Sequence, residues 1–393
     1  MLLTLERDEY RRTGRKNQFQ KQKRLREKEI VEQLLGEADI GVNGERPWDI
    51  RVINKDFYRR LLAGGSLALG ESYMDGWWDC RQLDEFIRRV LRADLNDKVI
   101  SWKDRLGVVQ AKLLNMQSPG RAFQVGKQHY DKGNDLFEAM LDSRMIYSCG
   151  YWKEASNLEE AQVAKLELVC RKLDIRPGMR VLDIGCGWGG TARYIAEKYR
   201  AEVVGITVSE EQATLARQNT KGLPVDIRLE DYRKLQGSFD RILSIGMFEH
   251  VGYKNYRVYM QTVRRLLEKT GLFLLHTIGG NVSSANIDPW IERYIFPNAN
   301  LPSVNQISTA FEGLFVMEDW HNFGPDYDKT LMEWFRRFDS HWPTLKKKYD
   351  RRFYRMWKYY LLSCAGAFRA RHTQLWQIVL SPKGIYRSYQ GPR

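Results

Sequence analysis

The sequence predicts an α/β protein built around a doubly wound, mostly parallel sheet. From about residue 122 onward, short apolar segments of strand length alternate with segments of helical periodicity. A glycine-rich loop separates the first of these strands from the helix that follows it. Strands that alternate with helices are typical of parallel sheets covered by helices on both faces. Ligands of such sheets bind beyond the carboxyl ends of the strands, where we therefore expect the functional residues.

Five candidate strands and the helices between them support this prediction. The strands are RVLDIG, EVVGITV, VDIRLE, DRILSIG and GLFLLHTIG. The helices are TARYIAEKY, EEQATLARQN and YRVYMQTVRRLLEK. A further helix precedes them, with apolar residues at 158, 166, 169, 170 and 173, and Ser156 and Glu159 fit a capping box at its start.

The chain before this alternation divides into two predicted regions. Residues 1–30 are polar and mainly basic, and they predict an arm that is either helical or a solvated tail. Residues 31–118 predict a smaller N-terminal domain, α/β or mainly helical, with a strand at DIRVIN and a helix at LDEFIRRVLRADL. Ser118–Arg121 marks a hinge, so that residues 122–393 form the larger domain.

Composition indicates a globular protein with a basic surface. Hydrophobic residues make up 43% of the 393 residues, which suits a sizeable core. The five scattered cysteines have no metal-type spacing, so we predict reduced thiols in a cytoplasm and no metal site. No apolar run has the length of a transmembrane helix. The net charge of +14 favours an anionic partner, either nucleic acid or a membrane surface, although solubility alone would also account for it.

The segment VLDIGCGWGG predicts the ligand of the sheet. It places Asp183 and the spaced glycines Gly185, Gly187 and Gly189 between a strand and a helix. Glycines let backbone N–H groups approach a ligand closely and leave the helix N-terminus open to polar or anionic groups. A dinucleotide site would have the spacing GxGxxG, whereas GxGxG after an acid is the pattern of S-adenosylmethionine-dependent methyltransferases.

Polar residues at the ends of the next two strands extend this predicted donor site. The second strand ends in Thr207 instead of the acid that usually meets the ribose hydroxyls. Gln212 is placed to make those hydrogen bonds, to act as the N3 partner of Ser209 in a capping box, or to do both. After the third strand, Asp231 and Tyr232 are placed to meet the adenine, with a plain surface turn as the alternative.

The segment LSIGMFEHVG raises the question of the acceptor. It brings Glu249 and His250 to the mouth of the fourth strand, where amino methyltransferases of adenine and cytosine usually carry a proline motif. A different chemistry is therefore expected. Further candidates are Cys149 in YSCGYW and His276 in HTIG, together with Tyr327 in GPDYD. A lone cysteine is usually a small buried hydrophobe, and we expect His250 to be structural.

Taken together, these segments resemble the bacterial cyclopropane-fatty-acyl-phospholipid synthases over about residues 40 to 380. The mycolic acid cyclopropane synthases resemble only the second region. The motifs that carry the resemblance include HYDKGNDLFEAMLD, YSCGYW, VLDIGCGWGG, GMFEHVG, FLLHTIG, DPWIERYIFPN, MEDWHNFGPDYDKTL and CAGAFRAR. The resemblance implies a seven-stranded, Rossmann-like methyltransferase sheet in residues 122–393 and a lipid-binding domain in residues 31–118.

The resemblance also implies the reaction. A methylene group passes from S-adenosylmethionine to the cis double bond of an unsaturated phospholipid acyl chain and forms a cyclopropane ring. Methyl transfer to an alkene leaves a carbocation, and ring closure requires the removal of a proton from the added methyl group in a site that excludes water. The implied base is an enzyme-bound bicarbonate, and Glu249 acting directly is the alternative.

The resemblance assigns site residues by motif match. The implied bicarbonate ligands are Cys149, Glu249, His276, Ile278 (through its backbone) and Tyr327. The predicted donor-binding residues are Tyr130, Asp183, Gly185, Gly187, Gly189, Thr207, Gln212, Asp231 and Tyr232.

The implied partners are an anionic phospholipid bilayer and a second copy of the chain, with no nucleic acid. The protein would be cytoplasmic and peripherally associated with the inner face of the cell membrane. Each basic residue near an anionic leaflet contributes about 1 kcal/mol. Candidate docking surfaces are the N-terminal arm and a cluster formed by Lys346–Lys348, Arg351, Arg352 and Arg355. Rival hypotheses are an RNA methyltransferase, a lipid-binding protein without activity, and acyl-chain methylation without ring closure.

Overall fold

The computed structural model describes residues 25–95, 133–386 and 389–393, and its centre is a seven-stranded sheet. Numbered in chain order, the strands are β1 (Arg51–Val52), β2 (Trp78–Asp79), β3 (Arg180–Ile184), β4 (Glu202–Thr207), β5 (Val225–Leu229), β6 (Phe239–Ile245), β7 (Leu267–Gly280), β8 (Val316–Asn322) and β9 (Thr373–Ser381). The central sheet has the order β5-β4-β3-β6-β7-β9-β8. Strands β3 to β7 are parallel, and β9 runs antiparallel between β7 and β8. The predicted mostly parallel α/β sheet is therefore confirmed.

The α-helices of the described residues are α1 (25–37), α2 (Phe57–Met74), α3 (Leu83–Arg92), α4 (Asn134–Met140), α5 (Leu158–Lys172), α6 (Gly190–Tyr199), α7 (Glu210–Asn219), α8 (Tyr256–Leu266), α9 (Pro289–Tyr294), α10 (Val304–Phe311), α11 (Pro325–Leu345) and α12 (Arg351–Arg369). Helix α6 connects β3 to β4, α7 connects β4 to β5, and α8 connects β6 to β7, and each of these strand pairs is parallel. The predicted capping box of α5 is wrong by one residue. Asn157 is the N-cap and accepts from the Glu160 N–H, while the Ser156 N–H donates to the Glu160 carboxylate.

The N-terminal region is mainly helical. The strand predicted at DIRVIN is only two residues long, and it pairs with β2 in a two-stranded sheet. The glycine-containing segment SLALGESYM belongs to α2, which has non-helical backbone at Gly65. Trp78 is fully buried at the centre of this region, against the rings of Phe57, Tyr73 and Phe86.

Helix α12 joins the N-terminal region to the rest of the protein. Gly366 allows α3 to approach α12, because a Cβ at this glycine would lie 2.4 Å from the Asp84 carbonyl oxygen. Arg355 of α12 reaches into the N-terminal region, where its guanidinium donates to the carbonyls of Tyr73 and Trp78 and lies over the Tyr73 ring. These contacts satisfy one buried carbonyl acceptor at the end of α2 and another in β2.

Some predictions lie outside the described residues. They include the hinge Ser118–Arg121, the donor residue Tyr130 and most of the basic arm 1–30. The division into a lipid-binding domain at 31–118 and a catalytic domain at 122–393 therefore stays a prediction. Within the described ranges, no helix combines the length and the apolar character that crossing a membrane requires.

We predict that Arg355→Ala lowers the free energy of unfolding by about 3 kcal/mol, because it leaves two buried carbonyl oxygens without donors. Urea denaturation measures this difference. Arg351→Ala is the matched control, since Arg351 lies one turn earlier on α12 and is exposed. Equal effects of the two substitutions would contradict the role assigned to Arg355.

Candidate active site

A cleft opens at the carboxyl ends of β3 to β6. Its floor comes from the turns that follow these strands, and one wall comes from residues 145–148. Seven predicted donor residues line it: Asp183, Gly185, Gly187, Thr207, Gln212, Asp231 and Tyr232. Gly189 instead forms the N-cap of α6. The structure thus brings all the described members of the predicted donor site to one end of the sheet.

The glycine loop between β3 and α6 has a backbone that other residues rarely adopt. Gly185, Gly187 and Gly189 have φ values of 84°, 54° and 82°. A Cβ at Gly185 would lie 2.8 Å from the Met247 side chain, so the loop also lacks space for one. Both the Gly185 and the Cys186 N–H groups donate to the Ile206 carbonyl, which fixes the loop to β4. The loop therefore presents backbone at close range to the cleft.

Asp183, at the end of β3, is the acid of the glycine motif. Its side chain is buried, and its Oδ2 atom has no hydrogen-bond partner among the described residues. Burial raises the pKa of this carboxyl to about 7, against the opposing charge of Lys165. Because buried polar atoms are usually hydrogen-bonded, this oxygen is suited to accept a hydrogen bond from a polar group of a ligand in the cleft.

Thr207 and Gln212 bond to each other. The Thr207 hydroxyl donates to Gln212 Oε1 at 2.9 Å, while Ser209 Oγ accepts from the Gln212 backbone N–H at 3.3 Å. The capping box predicted at Ser209 is therefore half formed, because the Ser209 N–H donates to the Thr207 hydroxyl and not to the Gln212 side chain.

Asp231 and Tyr232 follow β5. Asp231 is buried, so the alternative of a plain surface turn is wrong. Burial would raise the pKa of its carboxyl, but the guanidinium of Arg233 holds that pKa below its ordinary value. The Tyr232 ring lies edge-on to Tyr259 with 5.1 Å between their centroids. These contacts hold the Asp231 carboxylate ionised at the far end of the cleft.

Glu249 occupies the mouth of β6, as the sequence predicted, and is buried. Its Oε1 atom accepts from the Ile278 N–H at 2.7 Å, and its carbonyl accepts from the Asn300 N–H. Its Oε2 atom has no partner among the described residues. Burial raises the pKa of the carboxyl to about 7, so both protonation states are accessible near neutral pH.

His276 lies in β7, in register with Gln377 of the antiparallel β9. The Gln377 side-chain amide donates to His276 Nδ1 at 3.2 Å, which places the imidazole proton on Nε2. The Nε2 atom is buried without a partner among the described residues. Burial lowers the pKa of His276 well below its ordinary value, so the ring is neutral. Its Nε2–H is therefore a hydrogen-bond donor that has no acceptor among the described residues.

Helix α11 contributes Thr330, which contacts Cys149, and the predicted site residue Tyr327. The Cys149 sulfur lies 3.6 Å from the Thr330 hydroxyl, which also accepts from the Gly150 N–H. Tyr327 is one turn earlier on α11, and its ring stacks on Phe368 with 4.6 Å between centroids. Burial raises the pKa of the Cys149 thiol well above its ordinary value. The thiol therefore stays protonated, as expected for a residue that is not a nucleophile.

The five predicted bicarbonate ligands lie at the same end of the sheet. The Phe323 ring lies 5.7 Å from the His276 ring and 5.4 Å from the ring of Tyr151, which is two residues after Cys149. Tyr327 interacts electrostatically with both Cys149 and Glu249. One detail differs from the prediction: the Ile278 N–H is already engaged by Glu249. Its influence on a bound ion would therefore pass through Glu249.

The sequence analysis missed several residues of the cleft. Tyr147 and Ser148 line it, and Gln162 and Lys165 of α5 hold Ser148 from behind. The sequence carried one sign of this role: Gln162 and Lys165 are polar, but they occupy positions on the buried face of α5. His250, predicted to be structural, lines the cleft with a buried and unpartnered Nδ1 among the described residues, and burial lowers its pKa to about 4.

The sheet order, the antiparallel β9 and the glycine loop define the class of S-adenosylmethionine-dependent methyltransferases. Within that class, residues 117–378 match the family described as mycolic acid cyclopropane synthetase. The chain belongs to this family.

Curated relatives support the assignment. The chain is 58% identical over 353 residues to the cyclopropane-fatty-acyl-phospholipid synthase of Escherichia coli strain K12, covering 90% of this chain and 92% of that protein. It is 38% identical over 265 residues to a probable fatty acid methyltransferase of Pseudomonas putida, covering 64% and 67%.

Solved structures agree. The cyclopropane synthase MmaA2 from Mycobacterium tuberculosis superposes with a TM-score of 0.63 at 30% identity, covering 66% of this chain and 97% of that one. Mycolic acid cyclopropane synthase CmaA1 complexed with SAH and CTAB gives 0.61 at 32% identity, with the same coverage. The predicted family, fold class and enzyme class are confirmed.

We predict that Glu249→Gln stabilises the protein increasingly as the pH rises from 5 to 8. Because the folded-state pKa of Glu249 is raised to about 7, the wild type loses stability as the pH rises through that value. The amide has no charge to bury, so the difference in unfolding free energy between the variant and the wild type should grow by about 3 kcal/mol.

Urea denaturation at several pH values measures this difference. Glu312→Gln, which changes an exposed glutamate, is the matched control. A pH-independent difference for Glu249→Gln would show that Glu249 ionises normally, and would contradict its description as a desolvated carboxyl.

Proposed function

We propose that this enzyme converts the cis double bond of unsaturated phospholipid acyl chains into a cyclopropane ring, with bicarbonate as the base. The observation that carries the proposal is that Glu249 Oε2, at the mouth of β6, and His276 Nε2, on the adjacent strand β7, are both buried without a hydrogen-bond partner among the described residues. The named activity of the Escherichia coli relative supports the same substrate class.

The chemistry of ring formation fits the site. S-adenosylmethionine, when bound in the cleft, supplies an electrophilic methyl group. The alkene π electrons form the new carbon–carbon bond as the carbon–sulfur bond breaks, which leaves a cation on the acyl chain. Loss of a proton from the added methyl group then frees an electron pair that closes the ring. The protein must provide a base near the cation and must exclude water, which would trap the cation as an alcohol.

The residues around Glu249 suit a small ion that both donates and accepts hydrogen bonds. Glu249 Oε2 would accept from an O–H group, and His276 Nε2–H would donate to an oxygen. Bicarbonate offers both groups and, when bound, would take the proton that ring closure releases. Because Glu249 titrates near pH 7, it can share a proton with this second carboxyl-type group. Glu249 acting as the base itself remains the alternative.

Burial of the site supports the exclusion of water. Cys149 and His276 have relative exposures of 0% and 1%, and Glu249 has 5%. Tyr327 is packed between Phe368 and Trp334, so its ring forms part of an apolar wall. The low polarity of this wall strengthens each hydrogen bond to a bound ion.

We also propose peripheral docking on an anionic bilayer, in a cytoplasmic location. Lys346, Lys347 and Arg351 are exposed and supply a basic surface next to α12. The sequence grouped three further residues with them, of which Lys348 and Arg352 pair with Asp135 and Asp75. Arg355 does not belong to this surface.

Arg355 is only 8% exposed because it is inserted into the N-terminal region. Its assignment to the docking cluster was therefore wrong. A homodimer and the absence of a nucleic-acid partner also remain proposals, supported by the resemblance.

Incubation with a donor that carries a trideuterated methyl group tests the reaction. Unsaturated phospholipid vesicles should yield acyl chains that retain two deuterium atoms, because ring closure expels the third as an ion. The yield should fall when bicarbonate and dissolved carbon dioxide are removed, and it should recover when bicarbonate is added. Mass spectrometry of the released fatty acids measures both results.

Two results would overturn the proposal. Products that retain three deuterium atoms would indicate methylation without ring closure. Activity independent of bicarbonate would assign the proton to Glu249. Glu249→Gln should abolish ring formation under either base, so the bicarbonate dependence is the discriminating measurement.

Membrane docking is tested by charge reversal at Lys346, Lys347 and Arg351. Three reversals should weaken sedimentation with anionic vesicles by at least about 3 kcal/mol. The matched control reverses three exposed basic residues elsewhere: Lys198, Arg200 and Lys221. Equal losses for both sets would show that net charge alone drives binding and would contradict a specific surface.

A further inference from the structure

Lys165 is a buried cation that the proposed reaction leaves unexplained. It lies in α5, where its side chain has a relative exposure of 0%. Taking an ammonium group out of water costs several kcal/mol unless nearby groups compensate. The compensating acids are Asp142 and Asp183, both of which interact electrostatically with Lys165. Because this buried charge lies beside the cleft, its position indicates a role in binding a ligand there.

The hydrogen bond of Lys165 leads into the cleft. Its Nζ atom donates to the Ser148 hydroxyl oxygen at 2.9 Å. One turn earlier on α5, the Gln162 side-chain amide donates to the Ser148 carbonyl at 2.8 Å. Two side chains of one helix face thus fix the position of Ser148, which lines the cleft on its other side.

The direction of this hydrogen bond determines what Ser148 can do. An ammonium group only donates, so the Ser148 oxygen accepts from Lys165 and its hydroxyl proton is left for another acceptor. The positive charge behind the oxygen makes that proton a better donor. The arrangement therefore favours an anionic acceptor in the cleft.

The place of Ser148 in the cleft selects the part of the donor that it would meet. A Cβ at Gly246, just after β6, would lie 3.9 Å from the Ser148 Cβ. Thr207 ends β4 and Asp231 follows β5, and both strands lie on the other side of β3 from β6. If the ribose and adenine lie along β4 and β5, the methionyl end falls beside β6 and Ser148. Cys149, the next residue, belongs to the acceptor site, where the methyl group must arrive.

We propose that Lys165 is a positioning residue that recognises the α-carboxylate of the donor's methionyl end through the Ser148 hydroxyl. The inference rests on S-adenosylmethionine as the donor and on neither the lipid acceptor nor bicarbonate. Asp183 faces the same lysine, and its partly protonated carboxyl limits repulsion of the donor carboxylate. Burial lowers the pKa of Lys165 to about 8, so the lysine is mostly charged at neutral pH.

The test compares two ligands that share the adenosine and the sulfur. S-adenosylhomocysteine carries the amino acid carboxylate, and 5′-methylthioadenosine lacks the whole amino acid end. Lys165→Gln should reduce the affinity for S-adenosylhomocysteine on the order of tenfold, which is the contribution of one charge-assisted hydrogen bond. Isothermal titration calorimetry measures this affinity. The affinity for 5′-methylthioadenosine should stay at the wild-type value.

Lys172→Gln is the matched control. Lys172 lies two turns further along α5, its side chain is also 0% exposed, and it pairs with Asp319 instead of facing the cleft. The same substitution there removes a buried ammonium from the same helix. It should leave the ratio of the two ligand affinities unchanged.

The coupling to Ser148 is measured in a double-mutant cycle with Ser148→Ala, which also covers the case in which Lys165→Gln does not fold. Ser148→Ala alone should weaken the binding of S-adenosylhomocysteine and leave the binding of 5′-methylthioadenosine unchanged. In the Ser148→Ala background, Lys165→Gln should then reduce the affinity for S-adenosylhomocysteine by a smaller factor than it does in the wild type. Three results would overturn the proposal. Lys165→Gln could reduce the affinity for both ligands equally, or it could reduce neither affinity. The effects of Lys165→Gln and Ser148→Ala on the affinity for S-adenosylhomocysteine could also be additive. Binding of S-adenosylhomocysteine is measured without lipid, so the outcome does not depend on the acceptor chemistry.

Discussion

The site depends on a carboxyl group that is held out of water with only one of its oxygens satisfied. Glu249 is fixed by the Ile278 N–H at Oε1, and burial raises its pKa to about 7. Its Oε2 atom has no hydrogen-bond partner among the described residues. An unsatisfied buried acceptor costs about 1–3 kcal/mol. The His276 Nε2–H, on the adjacent strand β7, is an unsatisfied donor among the described residues. A bound oxyanion that carries one proton could satisfy both atoms together, which links the burial of these atoms to the proposed chemistry.

The sheet topology supplies this pair of atoms. Ile245 and His276 are in register in the parallel strands β6 and β7, so the ends of these strands deliver Glu249 and His276 to the same edge. The antiparallel β9 places Gln377 beside His276 and selects its tautomer. Helix α11 fixes Cys149 through Thr330 from the opposite side. A fold that ended at β7 would have the carboxyl group but not the oriented imidazole.

Local sequence patterns predicted the parts of the protein in which burial is continuous along the chain. The runs RVLDIG and GLFLLHTIG correspond to β3 and β7, which are buried on both faces. Strand β8 could not be recognised in the same way, because it is an edge strand with Val316 and Met317 exposed. Local patterns also could not predict contacts between segments that are distant in the sequence. Gln377 lies 101 residues from His276, and Lys165 lies 17 residues from Ser148. The strand pattern predicted Glu249 at the mouth of β6 and the glycine motif predicted Asp183, whereas the role assigned to Glu249 in the reaction came from the family resemblance.

The most direct test of the account is a crystal structure of the protein with S-adenosylhomocysteine, grown in the presence of bicarbonate. The account predicts a planar, three-oxygen ion within hydrogen-bonding distance of both Glu249 Oε2 and His276 Nε2. Water alone at these two atoms, or an ion bound elsewhere in the cleft, would contradict it.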